Sequence, residues 1–278
     1  MQTIKIVADS SSDLLTTNNK SFEVAPLKII TTQKEFTDNE NLNVKEMVDF
    51  LSKYNGRSSS SCPNPQDWLA AFGQSDYVFC VPITASLSGS YNSALVAKEM
   101  YETANPNRKV FVLNTLTAGP ELALIVKKLE ELINQSLSFE EICSKITEYM
   151  NSTGLLFMLE SMKNLANNGR VSPFVAKAAG LLGIRVVGKA SDQGDLQQLA
   201  KCKGSDKSLR TIVEEIKKAG CTSGKIRIAH CFNLEAAENL KKKLYIELPR
   251  AKVEIYNCRG LCSFYAEKGG LLVGFEKI

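Results

Sequence analysis

Histidine is almost absent from this sequence: one, His230, in 278 residues. With a single imidazole and no Cys-x-x-Cys, the usual zinc spacings cannot be assembled. Eight cysteines are far too few for a small disulfide scaffold and read as reduced thiols. Charge of one sign is missing as well. Lys+Arg is 34 against 30 for Asp+Glu, and a net +4 does not suit a protein that binds nucleic acid or a polyanionic surface. No apolar run is long enough to span a bilayer; the best, Phe174 to Val187, is broken by Lys177 and Arg185. Asp9 interrupts the first apolar stretch too early for a secretory signal, so a cytoplasmic protein is expected.

The standard catalytic signatures are missing too. There is no G-x-G-x-x-G and no G-x-S-x-G. Gly183 to Lys189 resembles a phosphate loop only in outline, because Ala190 stands where the metal-binding hydroxyl belongs. Asp9 and Asp13 lack the further carboxylates that would complete an oxygen cage, so no metal site is expected.

What is present is an alternation of apolar strands and amphipathic helices. Strands are expected at Ile4–Ala8, Phe22–Ile30, Tyr77–Ile83 and Val110–Leu113, with helices at Val44–Tyr54, Leu87–Tyr101, Glu121–Ile133 and Phe139–Met150. That order predicts an α/β fold with a parallel sheet covered on both faces, a three-layer α/β/α domain over residues 1–152. After residue 152 the rhythm changes. Six strands (154–159, 185–190, 196–203, 225–230, 252–256 and 271–275) are interrupted by helices at Ser208–Lys218 and Leu234–Tyr245. Residues 153–278 are therefore expected to form a second, two-layer α/β domain with a mixed sheet.

Open parallel sheets bind ligands beyond the carboxyl ends of their strands. Here those loops are rich in hydroxyls: Asp9-Ser10-Ser11-Ser12, Thr84 to Ser90, and Asn114 to Thr117. Ser59-Ser60-Ser61-Cys62-Pro63 could reach the same rim. Ser86 or Ser88 sits where a helix N-cap belongs, beside free backbone N–H groups. Together they would suit a carboxylate or phosphate; alternatively they only cap helices and fill turns. Arg170, in the tight link Asn168-Gly169-Arg170-Val171-Ser172, could donate to the same anion. A serine hydrolase is the competing reading, and its triad could use only His230, with Ser88 or Ser60 and Asp9.

Several segments, in this order, resemble the DegV family of bacterial fatty-acid-binding proteins over essentially the whole chain. They are Val7 to Leu14, Ala25-Pro26-Leu27, Ser60-Ser61-Cys62-Pro63, Leu87 to Ala94, Asn168 to Ser172 and Gly269-Gly270-Leu271. The resemblance implies two domains holding one long-chain fatty acid, such as palmitate, in an apolar tunnel between them. It implies a carrier and not an enzyme: the acid is presented to a separate fatty acid kinase, which makes the acyl phosphate, and no cofactor is needed. By position, Ser60 and Ser88 would bond the carboxylate, with Ser61, Arg170 and Tyr265 nearby. The chain departs from the family in having Ser60 where threonine is usual and Tyr265 where the terminal loop carries a histidine. The apolar segments Phe174–Leu182 and Cys258–Phe264 are candidates for the tunnel wall.

Overall fold

The computed structural model describes residues 2–17, 21–172 and 183–278. Its first sheet is four parallel strands in the order β2 (Phe22–Ala25), β1 (Ile4–Asp9), β6 (Tyr77–Val81), β7 (Lys109–Val112). Alternation assigns each side chain to a face. Val7, Val78 and Cys80 pack with Trp68 and Phe72 of α2 (Pro65–Phe72) and Ala94, Ala97 and Tyr101 of α3 (Ser90–Ala104). Ile6, Ala8, Phe79 and Val81 pack on the other face against α4 (Pro120–Ile133) and α5 (Phe139–Asn151). Both faces are covered, which is why β6, between β1 and β7, carries no charged residue.

Two strands form differently from the sequence expectation. The run Phe22–Ile30 breaks at Pro26, whose fixed φ and missing N–H end the ladder. Beyond it, β3 (Lys28–Thr31) joins a separate antiparallel sheet, between β4 (Glu35–Thr37) and β5 (Ser58–Ser61). The serine run, which is not among the expected strands, is thus a strand. α1 (Val44–Lys53) lies over this small sheet, where Met47 meets Ile29 and Phe36. α2 was also absent from the sequence reading, although Asn64 and Asp67 form a full capping box around Pro65 at its start. α3 begins at Ser90, with Gly89 at the cap position and no side-chain cap, so neither Ser86 nor Ser88 is its N-cap.

The second large sheet is mixed, in the order β10 (Leu196–Lys203), β9 (Ile184–Ala190), β8 (Thr153–Leu159), β13 (Leu271–Glu276), β11 (Lys225–His230), β12 (Lys252–Asn257). Only β11 and β12 run parallel. α7 (Ser205–Lys218) and α8 (Leu234–Glu247) cover one face, burying Leu209, Ile212, Ile216, Leu240 and Leu244. The opposite face meets the first half of the chain. Gly274 permits this approach, since a Cβ there would stand 2.5 Å from the backbone nitrogen of Glu121 at the start of α4. Residue 152 falls between α5 and β8, where the chain passes from one sheet to the other. α6 (Lys163–Asn167) and α9 (Gly260–Ala266) complete the α-helices among the described residues. The expected apolar helix at 174–182 lies outside the described residues.

Candidate functional site

From β1 the chain moves to β2 on one side and then returns to β6 on the other, so the carboxyl ends of β1 and β6 flank a topological switch point. Asp9 closes the end of β1. Its carboxylate accepts hydrogen bonds from the Ile83 N–H (2.9 Å), the Ser90 hydroxyl (2.6 Å), and the Ser11 N–H (3.2 Å) and hydroxyl. Burial pushes the Asp9 pKa up, and these donors oppose the shift. Other rim hydroxyls are similarly committed. Ser10 Oγ accepts from Leu27 N–H, Ser12 donates to the Asp9 carbonyl, and Thr115 donates to that of Pro82. Most hydroxyls that looked available to an anion are therefore internal ties between loops.

Beside this knot lies a narrow slot between the two halves. Its apolar lining comes from Leu27, Ile83, Leu87 and Ala118 on one side and Leu155, Phe157, Leu159 and Leu272 on the other. Leu165, Leu196, Leu261, Cys262 and Ala266 complete the wall. The slot contains about 680 Å³ of space free of atoms, solvent at its mouth included, and its walls lie close together. Such a cavity is narrow.

Its polar residues are few and gathered. Ser60, on β5, exchanges a 2.7 Å hydrogen bond with the Tyr265 hydroxyl. The Arg170 guanidinium lies 5.6 Å from the centre of the Tyr265 ring. Arg170 Nε donates to the Leu87 carbonyl (3.1 Å) and Nη1 to that of Asn168. Ser88 follows Leu87 and accepts from the Ser90 N–H at 3.3 Å. Burial pushes the Tyr265 pKa up, partly offset by the Ser60 bond and the Arg170 charge. Ser60, Ser88, Arg170 and Tyr265 all line the slot, and so does Ser11. Ser61, one residue further along the strand, does not; its backbone pairs with Lys28.

Three elements hold this cluster. α9 brings Tyr265, and its first turn is clamped by Asp38, which accepts from Gly260 N–H and Leu261 N–H at 2.8 Å each. The link after α6 is tied down by Asn164, which donates to the Phe264 carbonyl (2.8 Å), and Asn168, which donates to that of Ser58 (3.2 Å). The β9–β10 hairpin reaches across as well: Ser86 donates to the Gln193 carbonyl at 2.6 Å.

The residues of the competing triad do not assemble. His230 is buried at the end of β11 and does not line the slot; its Nδ1 accepts from Asn233 N–H at 3.3 Å. Asp9 is occupied as described. Among the described residues there is no group of three or more His, Cys, Asp or Glu able to hold a metal, and no helix long and apolar enough to cross a membrane. A wider groove between α4 and the β11–β12 edge is lined by charges that pair with one another: Lys127 with Glu130, Lys225 with Glu131, and Arg227 with Glu254.

A parallel sheet joined to a mixed sheet across a thin apolar slot, with an arginine, a phenol and two serines at one place in its wall, defines the class. The chain belongs to the DegV family: the model for "uncharacterised protein, DegV family" matches residues 3–277. It is similar to a DegV domain-containing protein of Streptococcus pneumoniae, 42% identical over 99% of both chains, and to one of Streptococcus gordonii at 43%. Among solved structures, it resembles a DegV family protein from Eubacterium eligens loaded with heptadecanoic acid (TM-score 0.97, 40% identity, 99% of this chain and 100% of the other). It also resembles the Streptococcus pneumoniae Fatty Acid Kinase (Fak) B3 protein loaded with linoleic acid (TM-score 0.97, 41% identity, all of both chains).

Proposed function

We propose that this protein binds one long-chain fatty acid in the slot and presents its carboxylate to a separate fatty acid kinase, itself catalysing nothing. In this reading residues 1–152 form the domain carrying the polar rim and residues 153–278 the domain that closes the tunnel. The carboxylate lies among Ser60, Ser88, Tyr265 and Arg170, and the acyl chain runs along Leu155, Phe157, Leu159 and Leu272. Ser61 acts from behind, by holding β5 against β3. The protein works in the cytoplasm, without a cofactor.

The observation that carries the reading is the thinness of the slot together with its single polar cluster. Two relatives of about 40% identity hold fatty acids, which supports the same ligand here. The energetics are adequate. Burying a chain of about 16 carbons yields roughly 10 kcal/mol at about 0.8 kcal/mol per CH₂. Lost translational and chain freedom removes several of these, leaving micromolar to nanomolar affinity. A carboxylate buried without donors would cost several kcal/mol, which two hydroxyls, a phenol and a guanidinium offset.

Native mass spectrometry of the purified protein, followed by organic extraction, tests this directly. A one-to-one adduct that extracts as a fatty acid is expected, and Ser60→Ala with Ser88→Ala should weaken uptake while leaving the fold intact. An empty protein that also refuses added fatty acids overturns the proposal. Hydrolysis of an activated ester that disappears in His230→Ala would replace it with the hydrolase.

A further inference from the structure

The wall that the mixed sheet gives to the slot contains a position with no side chain. Gly188 on β9 stands directly across from Phe157 on β8, and Phe157 stands across from Leu272 on β13. Leu272 and Phe157 line the slot; Gly188 does not. A Cβ on Gly188 would lie 2.2 Å from Cζ of Phe157 and 2.6 Å from Cε2. The Phe157 ring therefore reclines over the glycine in space that any other residue would fill. The ring is only 1% exposed and sits within an apolar cluster with Leu159, Leu165 and Val186. Gly188 has no positive φ, so its backbone does not demand glycine.

We propose that Gly188 determines which acyl chains fit, by letting the Phe157 ring lie flat and so preserving the depth of the slot. This rests on the fatty-acid reading above. In a tightly packed interior a displaced ring has few places to go, and the slot is the open volume beside it. Any larger residue at 188 pushes the ring into the path of the chain, and each methylene thereby excluded from the slot loses its burial. Long chains then suffer more than short ones. The charged end is unaffected, because Ser60, Tyr265 and Arg170 lie on other elements.

The test compares uptake of saturated acids of graded length by the wild type, Gly188→Ala, Phe157→Leu and the double variant, with circular dichroism for each. Gly188→Ala should lose about tenfold in affinity for every two methylenes excluded, with the shortest acids affected least. Phe157→Leu should extend the range to longer chains, and adding it to Gly188→Ala should restore them. The Cβ at 188 would also approach the Gln197 carbonyl at 2.5 Å, so Gly188→Ala could unfold. In that event Phe157→Leu decides alone. A length profile unchanged in a folded Gly188→Ala, or in Phe157→Leu, overturns the proposal. A wild type that takes up no acid of any length overturns the fatty-acid reading instead, which keeps the two failures distinct.

Discussion

Tyr265 is the residue whose chemistry separates this chain from the histidine that the family resemblance places there. A phenol hydrogen-bonded to Ser60 and raised in pKa by burial keeps its proton throughout the neutral range. Fatty-acid affinity should therefore show no titration from this position between pH 6 and 8. Tyr265→His should introduce one: the imidazole becomes a cation as pH falls through about 6.5, so affinity for a carboxylate should rise on acidification. Titrations with one fatty acid at several pH values check this, and a variant as flat as the wild type removes position 265 from the carboxylate. Tyr265→Phe keeps the ring against Arg170 and loses only the hydroxyl, so its cost should be about 1 kcal/mol. Ser88 and Arg170 could be nominated from sequence because a hydroxyl and a guanidinium in loops are conspicuous, and Ser60, on β5, by its place in a serine run that resembles the family's. Gly188 could not, since its effect passes through a ring 31 positions earlier in the chain.

At the level of elements, what could be read was governed by whether packing or local chemistry decides the structure. Apolar runs such as Tyr77–Val81 and amphipathic helices such as Phe139–Asn151 announce themselves, because burial of a periodic face is what forms them. Ser58–Ser61 has no such period; it is a strand because β3 supplies a backbone ladder, a partner invisible in the local sequence. α2 is legible in the sequence, its Asn64-Pro65-Gln66-Asp67 being a start signal as strong as any in the chain. α9, only seven residues long, cannot stand on propensity and depends on Asp38, which is wholly buried. Asp38→Ala would leave the Gly260 and Leu261 N–H groups without acceptors and should cost about 2–4 kcal/mol. Asp38→Asn keeps one good acceptor and should cost less. Urea midpoints at constant m-value measure both, and fatty-acid uptake should fall with them, because α9 carries Cys262, Tyr265 and Ala266 of the slot.

For the whole molecule, the contact between the halves is where buried acids collect. Glu121 on α4 accepts from Thr153 at 2.7 Å across the junction, and Asp13 accepts from the Arg259 N–H at 2.7 Å. Burial pushes Asp9, Asp13, Asp38 and Glu121 all upward, Asp13 to about 8 from an ordinary 3.8. An acid whose pKa is higher folded than unfolded binds more protons in the native state. Its contribution is fully favourable below the unfolded pKa and is lost as pH rises through the folded one. Most proteins gain stability when their salt-bridged carboxylates ionise; here the buried acids oppose that gain, Asp13 from about pH 4 to pH 8. The urea midpoint should therefore be higher at pH 6 than at pH 8 at fixed ionic strength. Asp13→Asn removes the carboxyl that burial pushes up to about 8 without disturbing the backbone, since asparagine tolerates the left-handed φ of 57° found there. That variant should flatten the pH dependence between 6 and 8 while the wild type retains it. Equal slopes for the two would show that Asp13 ionises normally and that the junction between the halves admits water.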